Sequence, residues 1–379
     1  MFIRKQNFVE SGSESLFFWG ARQTGKSTLL KTLYTDALYF DLLLSEEYER
    51  FVRNGSLLRE IVTAVNLKGP VIIDEIQRLP SLLNDIQWLI VNKNIQFILC
   101  GSSPRRILKM GGNLLGGRAV RYELFPLVSS EIPEFDLLKA LNNGLLPRHY
   151  LSANPGRLLS GYIGSYLRDE IIAEARLRNI TSFSRFLEAA AFSNGEMVNY
   201  TNIAAECGVS SPTVREYFQI LEDTMTGRFL YSYQKKPKRR VITGPKFYYF
   251  DVGIAGYLLK RGRVDYRSES FGKAFEHLIY NELYSYSHYS ARNFPVYYWR
   301  TTSQSEVDFI LGEHEVAVEV KSTAMVHPRH LKGLKSFAEE YKVKKQIIIS
   351  TDPYPRQIGN ITIYPWKTFL EELWAGEII

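Results

Sequence analysis

The sequence predicts an α/β protein built of several units, on three observations. A glycine-rich loop, Gly20-Ala21-Arg22-Gln23-Thr24-Gly25-Lys26-Ser27, follows the apolar run Leu16-Phe17-Phe18-Trp19 and precedes a helical pattern at Leu29, Leu30 and Leu33. Short, nearly continuous apolar strands alternate with helical stretches from residue 1 to about 125, the pattern of a parallel sheet covered on both faces. The alternation resumes from about residue 246, and a length of 379 residues suits two or three domains.

Strands of the first unit, 1–127, are expected at Leu16–Trp19, Ala37–Leu42, Val71–Asp74, Gln96–Cys100 and Val120–Leu124, with Phe125-Pro126-Leu127 closing it. Residues 128–192 read as a helical linker or lid, punctuated by Pro133, Pro147 and Asn154-Pro155-Gly156. A small helical unit with a basic stretch occupies 193–245, and the last α/β unit runs over 246–379.

Composition sets bounds on function. Hydrophobic residues make up 45% of the chain, which supplies packed cores and argues against wholesale disorder. A net charge of +7 permits a nucleic-acid partner without requiring one. Cys100 and Cys207 lie far apart without metal-ligating neighbours. That excludes a disulfide framework and a cysteine zinc site, and suits a reducing cytoplasm. No apolar run reaches the ~20 residues of a membrane helix, and the amino end, Met-Phe-Ile-Arg-Lys-Gln, lacks a signal-peptide core.

The glycine loop is a phosphate cradle. Its glycines turn consecutive N–H groups inward, and the helix behind presents the positive end of its dipole. Over Gly20–Thr28 the loop would hold ATP, with Lys26 on the β- and γ-phosphates and Ser27 on magnesium. Val71-Ile72-Ile73 ends in two acids, so Asp74 would help hold the magnesium and Glu75 would orient the attacking water. Ser102, after the strand Gln96–Cys100, is placed to face the γ-phosphate, and Arg118 is the candidate arginine finger among Arg105, Arg106, Arg118 and Arg121. The structural alternatives are a turn at Ser102 and a solvated Arg118.

Tyr200–Glu206 and a second helix from Ser211 form a helix-turn-helix, with Ser211 as cap, Pro212 at the first helical position, and Val214, Tyr217, Phe218 and Leu221 on one apolar face. The second helix would enter a DNA groove, with Arg215 and Gln219 toward bases. Tyr231–Lys246 would be a wing whose Lys235, Lys236, Lys238, Arg239 and Arg240 contact phosphates. A protein-contact module and a solvated basic loop are the alternatives.

In the last unit, Glu306–Leu311 and Val316–Lys321 flank a turn at Gly312-Glu313-His314. A hairpin there places Asp308 beside Glu319 with Lys321 close by. Two such carboxylates hold magnesium or manganese, the lysine steadies developing charge, and Glu276, on a helix with Phe271, Phe275, Leu278 and Ile279, would add a third acid. A salt-bridged surface hairpin is the alternative.

These strings, with Asp74-Glu75-Ile76-Gln77-Arg78-Leu79-Pro80, Cys100-Gly101-Ser102-Ser103, Leu115-Gly116-Gly117-Arg118 and Leu124-Phe125-Pro126-Leu127, resemble over essentially the whole chain the prokaryotic AAA-type ATPases with a C-terminal restriction-endonuclease-like (PD-(D/E)XK-type) domain. The resemblance implies a RecA-like P-loop ATPase domain, a winged-helix middle and a C-terminal α/β restriction-endonuclease-like domain. Three functional expectations follow from the residues and the resemblance together. The first is an ATPase that binds DNA and carries a metal-dependent nuclease-like end. The second is an ATP-switched DNA-binding regulator with a non-cleaving platform. The third is a signalling ATPase with protein partners. The oligomeric state stays open.

Overall fold

The computed structural model describes residues 2–8, 14–109, 115–171, 179–235 and 239–379. A five-stranded parallel sheet forms the first unit. Its strands are β1 (Ser15–Trp19), β2 (Leu38–Asp41), β3 (Val71–Asp74), β4 (Phe97–Gly101) and β5 (Ala119–Glu123), in the spatial order β2-β3-β4-β1-β5. Leu16 and Phe18 pack with Ile72 and Ile98 on one face, while Phe17 and Trp19 pack with Ile73 and Leu99 on the other. Burial on both faces is why these strands read as unbroken apolar runs. The helices are α1 (Lys26–Leu33), α2 (Ser45–Arg53), α3 (Leu57–Ala64), α4 (Leu82–Lys93) and α5 (Arg105–Lys109). Because β1, β3 and β4 run parallel in register, their carboxyl ends and the loops leaving them meet along one edge.

The helical segment that follows holds α6 (Leu137–Asn143), α7 (Pro147–Leu151) and α8 (Pro155–Gly161), the last continuing into a π-helix, Tyr162–Glu170. Pro147 and Pro155 open their helices, where a missing N–H is no loss. Next come α9 (Ile180–Phe192), α10 (Tyr200–Cys207), α11 (Ser211–Asp223) and the antiparallel pair β6 (Gly227–Leu230) and β7 (Lys246–Tyr249). Gly208, at φ 66°, caps the end of α10. The cap of α11 is Ser210, whose Oγ accepts the Thr213 N–H at 3.3 Å, and this corrects the expectation of Ser211. Ser210 has the extended backbone a cap requires, and Ser211 is already the first helical residue. Val214, Tyr217, Phe218 and Leu221 are buried as the helical period predicts. The pairing of β6 with β7 spans residue 245, where the sequence suggested a boundary.

The last unit comprises α12 (Val252–Leu258), α13 (Phe271–Tyr289), α14 (Lys332–Ala338), α15 (Trp366–Ala375) and a mixed sheet. The sheet strands are β8 (Val296–Arg300), β9 (Glu306–Leu311), β10 (Val316–Lys321), β11 (Lys345–Ser350), β12 (Arg356–Ile358) and β13 (Ile361–Pro365), ordered β12-β13-β11-β10-β9-β8. Phe275 and Leu278 of α13 cover Phe309 and Val318 on one face, and Leu334 and Phe337 of α14 cover Ile310 and Ala317 on the other. Among the described residues no helix is long and apolar enough to cross a membrane.

Candidate functional site

Gly20 leaves β1 at φ 156°, where a Cβ would stand 2.5 Å from the Leu124 carbonyl oxygen, and Gly25, at φ 99°, caps α1. Both positions need glycine for the loop to wrap this tightly. Lys26 is buried, and its Nζ donates to the carbonyls of Gly20 at 2.7 Å and Ala21 at 3.1 Å. Its charge therefore has no carboxylate partner among the described residues. Ser27 Oγ and the Tyr39 hydroxyl both donate to Asp74 Oδ2, at 2.6 Å and 2.5 Å. Hydroxyl and carboxylate oxygens are the donors magnesium prefers. Arg4 braces the loop from the amino-terminal segment, bonding the Thr24 carbonyl at 2.5 Å and Glu131 at 2.9 Å.

Glu75 sits in the left-handed region at φ 58°, a conformation rare for a residue with a side chain. Gln77 explains how its carboxylate is held. The Gln77 amide donates both to Glu75 Oε2 and, at 3.0 Å, to Ser102 Oγ. The base candidate and the γ-phosphate reporter are thus joined through one side chain. Ser103 Oγ donates to the Asp223 carbonyl at 3.1 Å, and the buried Arg105 forms a partly buried ion pair with the Asp223 carboxylate. Met225, just beyond α11, packs into the core beside Trp19 and Ile76. The end of α11 is therefore docked on the loop that follows β4.

Arg118 is not brought to this edge. It precedes Ala119, which pairs with Ser15, whereas the glycine loop follows Trp19, which pairs with Glu123. A strand rising roughly 3.3 Å per residue puts Arg118 ~15 Å from the loop, at the opposite end of the sheet. This corrects its expected role on its own chain's phosphates, and the exposed residue contacts the Leu115 carbonyl at 3.5 Å.

A cavity of about 580 Å³ opens against the outer side of the loop. Phe2, Ile3, Leu29, Leu33, Pro147 and Leu151 supply its apolar wall beside Thr24, Gly25 and Thr28.

The second acid cluster assembles as the hairpin predicts. β9 carries an extra residue where Asp308 and Phe309 face the single Tyr298 of β8, and such a bulge re-aims side chains. Lys321 Nζ lies 2.5 Å from Glu319 Oε1 and 4.0 Å from Asp308 Oδ2. Asp308 Oδ2 also accepts the Val320 N–H at 2.7 Å. Glu276, on α13, accepts the Tyr248 hydroxyl at 2.6 Å. Burial pushes the Glu319 carboxyl above the usual range, and neighbouring Asp308 adds to it. Burial raises Glu276 likewise, with Lys246 pulling it back. For Lys321 burial acts downward, but Asp308 and Glu319 outweigh it and hold the ammonium above its ordinary value. Among the described residues no group of three or more His, Cys, Asp and Glu is arranged to hold a metal ion. The expected magnesium or manganese site does not fit these positions.

Lys246 ends the segment expected as a wing, yet it is buried within this cluster, 2.8 Å from Glu306 Oε1 and 3.5 Å from Glu276 Oε1. Of the expected DNA contacts, Lys235 is paired with Glu313, and Arg239 with Ser336 and Glu339 and, at 3.4 Å, with Glu340. Arg240 is exposed. Lys236 and Lys238 lie outside the described residues. Gln219 bonds Asp223 at 2.9 Å, and the Arg215 guanidinium stacks 4.0 Å from the Tyr200 ring centre.

Sequence reasoning left out Arg4, Tyr39, Gln77, Asp223 and the burial of Lys246. Gln77 lies inside the acidic string after β3 and was within reach of it. Tyr39 is in register with Ile72 and so shares the sheet face on which Ile72 and Asp74 lie. The partners of Asp223 and Lys246 come from distant segments, and no local pattern marks them.

The glycine loop, the lysine at the start of α1 and the acids ending β3 define a P-loop nucleotide hydrolase. Residues 13–133 match the AAA domain, so the chain carries an AAA-type ATPase domain. Residues 134–265 and 271–369 match two domains of unknown function, DUF8612 and DUF4143. Two uncharacterized proteins, one of Mycobacterium bovis and one of Mycobacterium tuberculosis, are each 25% identical over 317 residues, covering 80% of this chain and 69% of theirs. Among solved structures, a signal transduction ATPase with a tetratricopeptide repeat sensor, from Pyrococcus horikoshii, is 14% identical with a TM-score of 0.23. That likeness covers 75% of this chain and 46% of the other.

Proposed function

We propose that this chain is an ATP-driven switch whose hydrolysis state is passed from the loop after β4 to the helix-turn-helix unit. ATP and magnesium suit the first site, where Lys26, the loop amides, Ser27 and Asp74 would hold them. Magnesium there would neutralise charge developing on the phosphates. Glu75 takes the proton of the attacking water, and Gln77 sets the direction of its carboxylate. The apolar cavity beside Thr28 accommodates the nucleobase. The observation that carries the reading is the convergence of Ser27 on Asp74 at 2.6 Å, with Glu75 held by Gln77 beside it. Ser102 senses the γ-phosphate, and the Ser103 and Arg105 contacts to Asp223 convey its loss to α11.

In this reading the C-terminal unit is a platform, not a nuclease, because its acids are already paired with lysines. DNA is the partner favoured by the capped α10–α11 turn, which leaves Arg215 exposed, with Arg240 contributing charge. One set of assays tests the whole. Phosphate release is measured for the parent, Lys26→Ala and Glu75→Gln, and single- and double-stranded DNA are added with and without ATP, in magnesium and then manganese. ATP hydrolysis lost in both variants, with salt-sensitive DNA binding and intact DNA, supports the reading. Hydrolysis unaffected by Lys26→Ala overturns the switch, DNA cleavage overturns the platform, and no DNA affinity at any salt moves the partner to a protein.

A further inference from the structure

We propose that Lys246 is the resident cation of the C-terminal carboxylate cluster, filling the place a divalent ion would take, so that the cluster binds neither magnesium nor manganese. This deepens the platform reading of that unit. Four carboxylates neighbour one another here as two lysine-bridged pairs, Glu276 with Glu306 and Asp308 with Glu319. Three cations already touch them. Lys246 Nζ bridges Glu306 at 2.8 Å and Glu276 at 3.5 Å. Lys321 takes Glu319 at 2.5 Å and stands 4.0 Å from Asp308. Arg300 stands 3.6 Å from Glu306 Oε2.

A dication added to this set would leave an excess of positive charge in a largely dehydrated cluster, which disfavours its binding. Two of the oxygens are also committed to neutral donors. Asp308 Oδ2 holds the Val320 N–H, and Glu276 Oε1 holds the Tyr248 hydroxyl. Glu319 Oε2 is the one buried carboxylate oxygen of the four residues without a hydrogen-bond partner. The Lys246 side chain is 4% exposed and its ammonium lies 5.4 Å from the centre of the Tyr298 ring, so it is walled in. Its backbone is the first residue of β7, which pairs with β6, so the ammonium also bolts that strand pair to α13 and β9.

The test titrates Mn2+ into the full chain and follows free ion by electron paramagnetic resonance. Every protein carries Asp74→Asn, which silences the nucleotide site. The expected result is no bound Mn2+ for Asp74→Asn alone, and about one ion per chain gained with Lys246→Ala and removed again by Asp308→Asn. Mn2+ bound by Asp74→Asn and lost with Asp308→Asn overturns the proposal. So does a folded Lys246→Ala protein that gains none. Should Lys246→Ala fail to fold, comparing Asp74→Asn with Asp74→Asn/Asp308→Asn still decides, since equal and negligible binding is required. DNA cleavage without bound metal would overturn the platform reading and leave this one standing.

Discussion

Two lysine-and-acid constellations, one beside each of the two large sheets, use the same residue types to opposite ends. At the amino-terminal site Lys26 rests on backbone carbonyls, and Asp74 is met by two hydroxyls and the Glu75 N–H, all neutral donors. At the carboxyl-terminal site Lys246 and Lys321 are each in contact with two carboxylates. A lysine bound only to neutral carbonyls gives them up readily to a triphosphate. A lysine buried among carboxylates cannot leave without stranding charge. The difference teaches that an acid-lysine motif names a chemistry only once the free charges are counted.

The sharpest way to break the first half of this comparison is Glu75→Gln. It should lower kcat for ATP by about 100- to 10,000-fold while ATP affinity stays, read by phosphate release and calorimetry. Unchanged turnover would remove Glu75 from the chemistry. Lys26→Ala should lower turnover about 100- to 1,000-fold and weaken ATP binding. Its cost in stability should be about 1 kcal/mol, since it loses hydrogen bonds to neutral groups. Lys246→Ala should instead cost about 3 kcal/mol in denaturant unfolding, because it leaves the partly buried Glu276 uncompensated and Glu306 with Arg300 alone. Equal stability losses for the two lysines would erase the contrast.

A third buried acid sharpens it further. Glu282 accepts Ser129 N–H at 2.7 Å, Ser129 Oγ–H at 2.9 Å and the Trp374 indole at 2.7 Å. No cation pairs with it among the described residues, and burial pushes its carboxyl up to about 7. A raised carboxyl binds its proton more tightly folded than unfolded. Its stabilising effect is therefore complete below the ordinary value of 4.5 and is lost as pH rises through about 7. Glu282→Gln should remove up to about 3 kcal/mol of that pH dependence. A stability profile between those pH values that is identical in parent and variant would show that Glu282 stays ionised.

Much of the first site was legible in the linear chain because its parts are local. Gly20–Thr28 is one loop, and Asp74-Glu75 ends one strand whose apolar run marks it. The Asp308, Glu319 and Lys321 hairpin was legible for the same reason, since alternation along two adjoining strands fixes which side chains share a side. Arg118 misled because its glycines suggested an active-site loop, whereas the register of β5 on β1 sends it to the far end of the sheet. The wing arginines and lysines read as a charge run, and only folding showed Arg239 against α14 and Lys246 among acids.

By itself the sequence determined the phosphate cradle, the strand-end acids, the apolar face of α11 and the hairpin that joins Asp308 to Glu319. Each depends on neighbours within a few residues and on the periods of strand and helix. Tertiary structure alone decided which charges remain available, from the Arg105–Asp223 dock to the Lys246 ammonium among the acids. Those contacts join residues separated by 118 positions for the dock and 60 for Lys246 and Glu306. Pairing over such spans is set by how the sheets and helices pack, and local sequence carries no record of it.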